Sequence, residues 1–232
     1  LRKDLSMSTP QKQTSRFQTY LLSCGVLSSA LYICATILGA MRWTDYNSSS
    51  QSISELIAID APSAPLVLPF FIIYAFLIYA FSWGVWRAAK GQKALRIAAT
   101  LIALKEVFGL AAALFAPMHL RGHEKTLTDT FHIIFTAIGV LLLMFPGMCF
   151  AAASLGKKFR IYTILTIILF LAFGALAGMD GPRVEANQPT PMLGIWERIN
   201  VFGYMLWITV LSSVLLFRPD RRGDDQGKDV TS

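Results

Sequence analysis

Six apolar stretches, each about 20 residues or longer, run through this chain and limit its fold more than any other feature. About 20 mostly apolar residues suffice for a helix to cross a bilayer. In hydrocarbon the backbone must satisfy its own polar groups, which favours helices. The spans are predicted at about 17–43, 65–89, 95–118 and 128–155, then a fifth ending near Met179 and a sixth at about 193–217. They take up well over half of the 232 residues, leaving no room for a separate soluble domain. The expected fold class is all-α: a polytopic membrane protein, a six-transmembrane-helix bundle over 17–217, between a polar tail at 1–16 and a charged tail at 218–232. The first apolar run exceeds the roughly 7 to 15 residues of a signal-peptide core, so a retained helix is expected. Pro146-Gly147, inside span 4, is expected to kink it.

Charge orients the bundle. Only 15% of the residues are charged, against about a quarter in a soluble domain. Fifteen Lys and Arg fall on the side that carries both tails, the 2–3 turn and the 4–5 turn. Five fall on the other: Arg42, Arg121, Lys125, Arg183 and Arg198. Lys105 lies within span 3. Basic loops stay inside, so both termini are expected in the cytoplasm and the protein in the cell's inner (plasma) membrane. The formal charge of +7 then reflects topology. No basic face or aromatic platform accompanies it, so no nucleic-acid partner is expected. Cys24, Cys34 and Cys149 all fall in apolar spans, where thiols behave as small hydrophobes. Membrane lipids are the expected partners. Gly174-Ala-Leu-Ala-Gly178 has the spacing of close helix contacts, within the bundle or in a homo-oligomer or larger membrane complex.

The residues able to do chemistry gather on the outer side. Ser52 and Glu55 have capping-box spacing, which predicts a short interfacial helix with Ile53, Leu56 and Ile57 against the bundle. Glu55 then either caps that helix or points into a cavity beneath it. All three histidines, His119, His123 and His132, lie with Asp129 inside fourteen residues. Imidazoles and a carboxylate are zinc ligands, so these four are the candidate metal set. The same residues also read as loop histidines beside a helix cap, since Thr126 and Asp129 have capping-box spacing, or as a buried His132 in a polar network. Glu197 and Arg198 sit just inside span 6, where ionisable groups need partners; Glu55 and Asp129 are the expected ones for Arg198. Asn200 extends that polar stripe. Lys105 and Glu106 lie deep in span 3; neighbours in sequence are about 100° apart on a helix and are not expected to pair simply. Glu106 is read either as a neutral acid bonding another helix or as part of a proton or ion relay.

No catalytic serine elbow, His-Glu-x-x-His, phosphate loop or Cys-x-x-Cys-His is present. Ser52-Ile-Ser-Glu-Leu, Ala116-Pro-Met-His, the stretch from Thr126 to His132, and Gly194-Ile-Trp-Glu-Arg-Ile with Trp207 resemble motifs of domain of unknown function 998, a family of prokaryotic six-span membrane proteins. That family looks distantly similar to six-span proteins of the eukaryotic autophagy-modulator type. The resemblance implies six helices with motifs on the outer face and no established activity. A comparison with intramembrane zinc hydrolases of the alkaline ceramidase and adiponectin-receptor class meets a departure: span 6 has no histidine. The leading expectation is a pocket at the outer end, lined by Glu55, Asp129, His132, Glu197 and Arg198, that takes a lipid headgroup or small polar ligand. The alternatives are a zinc-dependent hydrolase and a non-catalytic subunit. No motif demands a cofactor; zinc is the one the histidine set would take.

Overall fold

The computed structural model describes residues 16–218, so the terminal tails expected on either side, and most of their charge, lie outside the described residues. Six helices are long and apolar enough to cross a membrane: α1 (Arg16–Arg42), α2 (Ala64–Ala88), α3 (Lys93–Phe115), α4 (Leu127–Ser154), α5 (Lys157–Met179) and α6 (Leu193–Leu216). Their 23 to 28 residues give lengths of about 35 to 42 Å, more than the roughly 30 Å hydrocarbon core. A single 3-10 turn (Ser54–Ile57) and a five-residue helix (Gly181–Glu185) interrupt the connections. No strand occurs among the described residues. This is an all-α, multi-pass membrane protein.

The helices stand in a ring in chain order, each beside its sequence neighbours, with α6 closing onto α1 and also touching α2. Two turns of only a few residues, at 89–92 and 155–156, tie the α2–α3 and α4–α5 ends. The long connections 43–63, 116–126 and 180–192 collect at the opposite mouth. The core runs down the ring through Phe81, Leu95, Ile102, Met148, Trp207, Ile208 and Leu211.

In lipid, apolar burial discriminates weakly between helices, so close approach and polar contacts set the packing. Gly25 lies beneath the Phe81 ring, where a Cβ would come within 2.7 Å. Gly84 faces the α1 backbone, where a Cβ would stand 2.9 Å from Leu21 Cβ and 3.1 Å from its carbonyl carbon. Hydroxyls cross between helices: Ser29 donates to the Met205 carbonyl (2.9 Å), and Ser212 donates to that of Leu22 (2.7 Å). Trp207 Nε1 donates to Thr163 Oγ1 (3.0 Å), joining α6 to α5. Of the small-residue pair on α5, Gly174 faces Asn200 of α6, whereas Gly178 meets nothing within 4 Å. Half of that motif therefore packs inside the bundle.

α4 is not uniform. Its opening and closing parts are α-helical, but Ile138–Met144 winds as a wide π turn. The irregularity expected at Pro146-Gly147 thus lies just before the proline, which has no N–H to continue a regular ladder.

Gly84→Ala should lower thermal stability in detergent by about 1 to 3 kcal/mol, because the added methyl meets backbone that cannot rotate away. Gly178→Ala, in open space, should leave stability unchanged or slightly raised. Circular dichroism melts of the two variants beside wild type check this.

Candidate functional site

The loop-bearing mouth is a polar knot, and its centre is Glu55. This side chain is 2% exposed. Its local setting follows the expected capping box: Oε1 accepts from the Ser52 N–H (2.9 Å), and Ser52 Oγ accepts from the Glu55 N–H (3.4 Å). The turn so fixed drives Ile53 and Leu56 into a small core with Ala35, Val67 and Phe71. The carboxylate itself is gripped side-on by Arg121, Nε to Oε2 at 3.0 Å and Nη2 to Oε1 at 2.8 Å. Arg121 uses its remaining donors on Thr190 Oγ1 (2.6 Å) and the Ser50 carbonyl (2.7 Å). One guanidinium therefore joins all three long connections.

Arg198 plays a different part from the one expected. Its partner is neither Glu55, which Arg121 holds, nor Asp129, which sits against His119. Nη1 donates to the carbonyls of Ser48 (2.6 Å), Gln51 (3.0 Å) and Gly194 (3.0 Å), and Nη2 to Tyr46 Oη (2.7 Å). Tyr46 passes the chain on by donating to the Ser52 carbonyl (2.7 Å). Burial pushes the Tyr46 hydroxyl up to about 12, against the pull of the Arg198 hydrogen bond, so it remains a donor at neutral pH. Gly194 is required where the loop crosses α6: a Cβ would collide with the Ser48 and Gln51 carbonyls. Glu197 lies beside Arg198 but accepts instead from the Ile53 N–H, at 2.6 Å.

Arg198 also reaches a groove of about 330 Å³ between α1 and α6. Thr36, Ile37, Ala40, Met41 and Phe202 make its wall, with Ser48 at the rim. Among the described residues no carboxylate stands within ion-pair reach of Arg198.

The histidine set does not converge. Asp129 Oδ2 closes the expected capping box with the Thr126 N–H (2.8 Å) and meets His119 Nδ1 at 3.0 Å, while Oδ1 accepts the His119 N–H at 2.7 Å. His123 lies in the exposed loop, its ring 6.3 Å from that of His119. His132 turns towards α3 instead. Its Nδ1 donates to the carbonyls of Ala116 (2.9 Å) and Ala112 (3.2 Å), groups at a helix end that lack intrahelical N–H partners. Carbonyls only accept, so Nδ1 carries a proton. Among the described residues no three His, Cys, Asp or Glu stand together as a metal-holding group.

Lys105 and Glu106, far from this mouth, do pair: Nζ lies 2.6 Å from Oε1. The flexible four-carbon stem bends around the 100° between neighbouring positions, which a rigid reading of the helical wheel overlooks. Tyr74 of α2 also donates to Oε1, at 3.1 Å.

Arg121 is the member of this cluster that the sequence does not single out. Its signal was its place between His119 and His123 in a loop facing an acidic partner 66 residues away, and no local spacing reports such a contact. The chain belongs to the family of proteins of unknown function DUF998, whose family model matches residues 26–214. No curated protein and no solved structure matches it.

Arg121→Gln should cost about 3 to 5 kcal/mol of stability, since it strands a buried carboxylate. Adding Glu55→Gln to that variant should recover part of the loss, a coupling that a double-mutant thermal series reads directly.

Proposed function

We propose that the protein binds an anionic lipid headgroup at Arg198, with an acyl chain lying in the groove between α1 and α6. The observation that carries this reading is a guanidinium at the rim of an apolar groove whose protein partners are all neutral. Three carbonyls and a hydroxyl position the group without cancelling its charge. Nε–H has no protein partner among the described residues, so a phosphate oxygen can take it. Planar, forked recognition of phosphate is what arginine offers over lysine. Ile37 and Met41 are exposed along the wall and suit a hydrocarbon chain.

In this reading the expected site residues divide. Arg198 touches the headgroup. Glu55, with Arg121, fixes the loop whose carbonyls aim Arg198, and Glu197 holds Ile53 of the same loop. Asp129 and His132 secure the neighbouring connection to α3 and α4. We place both termini in the cytoplasm on the charge asymmetry, which puts the groove in the outer leaflet of the plasma membrane.

Phosphatidylglycerol should co-purify with wild type and survive into native mass spectra, while phosphatidylcholine should not. Arg198→Gln should cut phosphatidylglycerol retention at least about tenfold, the value of one charge-assisted contact, and Arg198→Lys should restore part of it. Equal retention by Arg198→Gln would defeat the proposal.

Cysteines placed at Ser49 and Asn187 should react with an impermeant thiol reagent added outside cells, and one at Gly91 only after the membrane is opened. Outside labelling at position 91 would reverse the orientation.

A further inference from the structure

We propose that Glu106 is a proton-exchange site in the middle of the bundle, with Lys105 as its counter-charge and the Tyr74 hydroxyl as its hydrogen-bond donor. The site is independent of the lipid groove. Glu106 lies about 20 Å along α3 from Lys93 and about 14 Å from Phe115, so it sits near the membrane's midplane. Ionisable groups at that depth are costly and mark functional positions.

The surroundings supply the chemistry. Glu106 is 3% exposed, and both of its protein donors, the Lys105 ammonium and the Tyr74 hydroxyl, converge on Oε1. Oε2 receives no donor among the described residues; it lies over Gly109, where a Cβ would stand 3.5 Å away. The Tyr204 hydroxyl, on α6, is buried without a hydrogen-bond partner among the described residues. The buried Tyr204 hydroxyl carries a penalty that a water would relieve, and Oε2 keeps its lone pairs for a proton. The Lys105 ammonium lies over both tyrosine rings, 5.1 Å from the Tyr204 ring centre and 6.0 Å from that of Tyr74.

A further tyrosine ring stands beside the site, Tyr32 of α1, edge-on to Tyr74 at 4.9 Å. From α4 the facing residue is Gly139, in the wide π turn, which lies close against the Lys105 stem. Such turns recur at functional sites because they loosen the helix ladder locally. When Oε2 takes a proton, the carboxylate becomes a neutral acid and the site passes from zero to one positive charge, carried by Lys105. Release of the proton restores the ion pair.

The test uses the full-length protein in phosphatidylcholine liposomes, followed by infrared difference spectra over a titration from about pH 9 to about pH 4. Wild type should show a reversible carboxylic-acid C=O band that Glu106→Gln lacks. Lys105→Met, without the counter-charge, should raise the band's midpoint by at least about one pH unit. Identical spectra for wild type and Glu106→Gln would overturn the proposal. If Glu106→Gln does not fold, a wild-type titration with no carboxylic-acid band that Lys105→Met moves would overturn it instead.

Discussion

The buried Arg121–Glu55 pair is the contact on which the loop-bearing mouth depends. A carboxylate 2% exposed beside lipid would be expelled or neutralised unless something cancelled its charge, and a side-on guanidinium does so with two parallel bonds. Once fixed, the 3-10 turn at Ser54–Ile57 plugs the ends of α1 and α2 with Ile53 and Leu56. The loop leading into that turn presents the Ser48 and Gln51 carbonyls at a spacing that suits Arg198. Two arginines from separate parts of the chain thus divide the work: one neutralises a charge, and the other gathers backbone oxygens while keeping its own charge.

The spans were legible to within about three residues at their ends, because an uninterrupted apolar run over a bilayer's thickness admits few alternatives. Both capping boxes were legible too, since Ser52–Glu55 and Thr126–Asp129 are local and their spacing is chemistry in itself. What local spacing cannot report is which buried arginine meets which buried carboxylate. Arg198, an ionisable group within a span, is expected to meet Glu55 or Asp129, but its position one turn beyond Gly194 hands it carbonyls first. Arg121 was hidden among histidines that suggested metal chemistry. His132 shows the same limit: its need was set by two bare carbonyls at the end of α3, about 16 to 20 residues upstream.

The Lys105–Glu106 pair teaches a second lesson. Backbone periodicity placed the two residues on different faces of α3, which is true of their Cβ atoms and not of their charges. Hydrocarbon on one side of the helix and tyrosine rings on the other leave a long ammonium stem one direction in which it is solvated, and that direction leads to Glu106.

The wide turn in α4 sets the phase of a whole helix. Inward-facing positions run Asp129, His132 and Gly139, then step five residues to Met144 before Gly147, Met148 and Ala151 resume an ordinary rhythm. The extra residue works like a leap day: it lets the acidic, histidine-bearing opening and the smooth, methionine-lined close of one helix both meet the bundle axis. Removing a single residue there would turn one half against the other by about 100°. The chain would then have to present either Asp129 and His132 or Met148 to lipid, so the length of this segment is constrained even where the identity of its leucines is not.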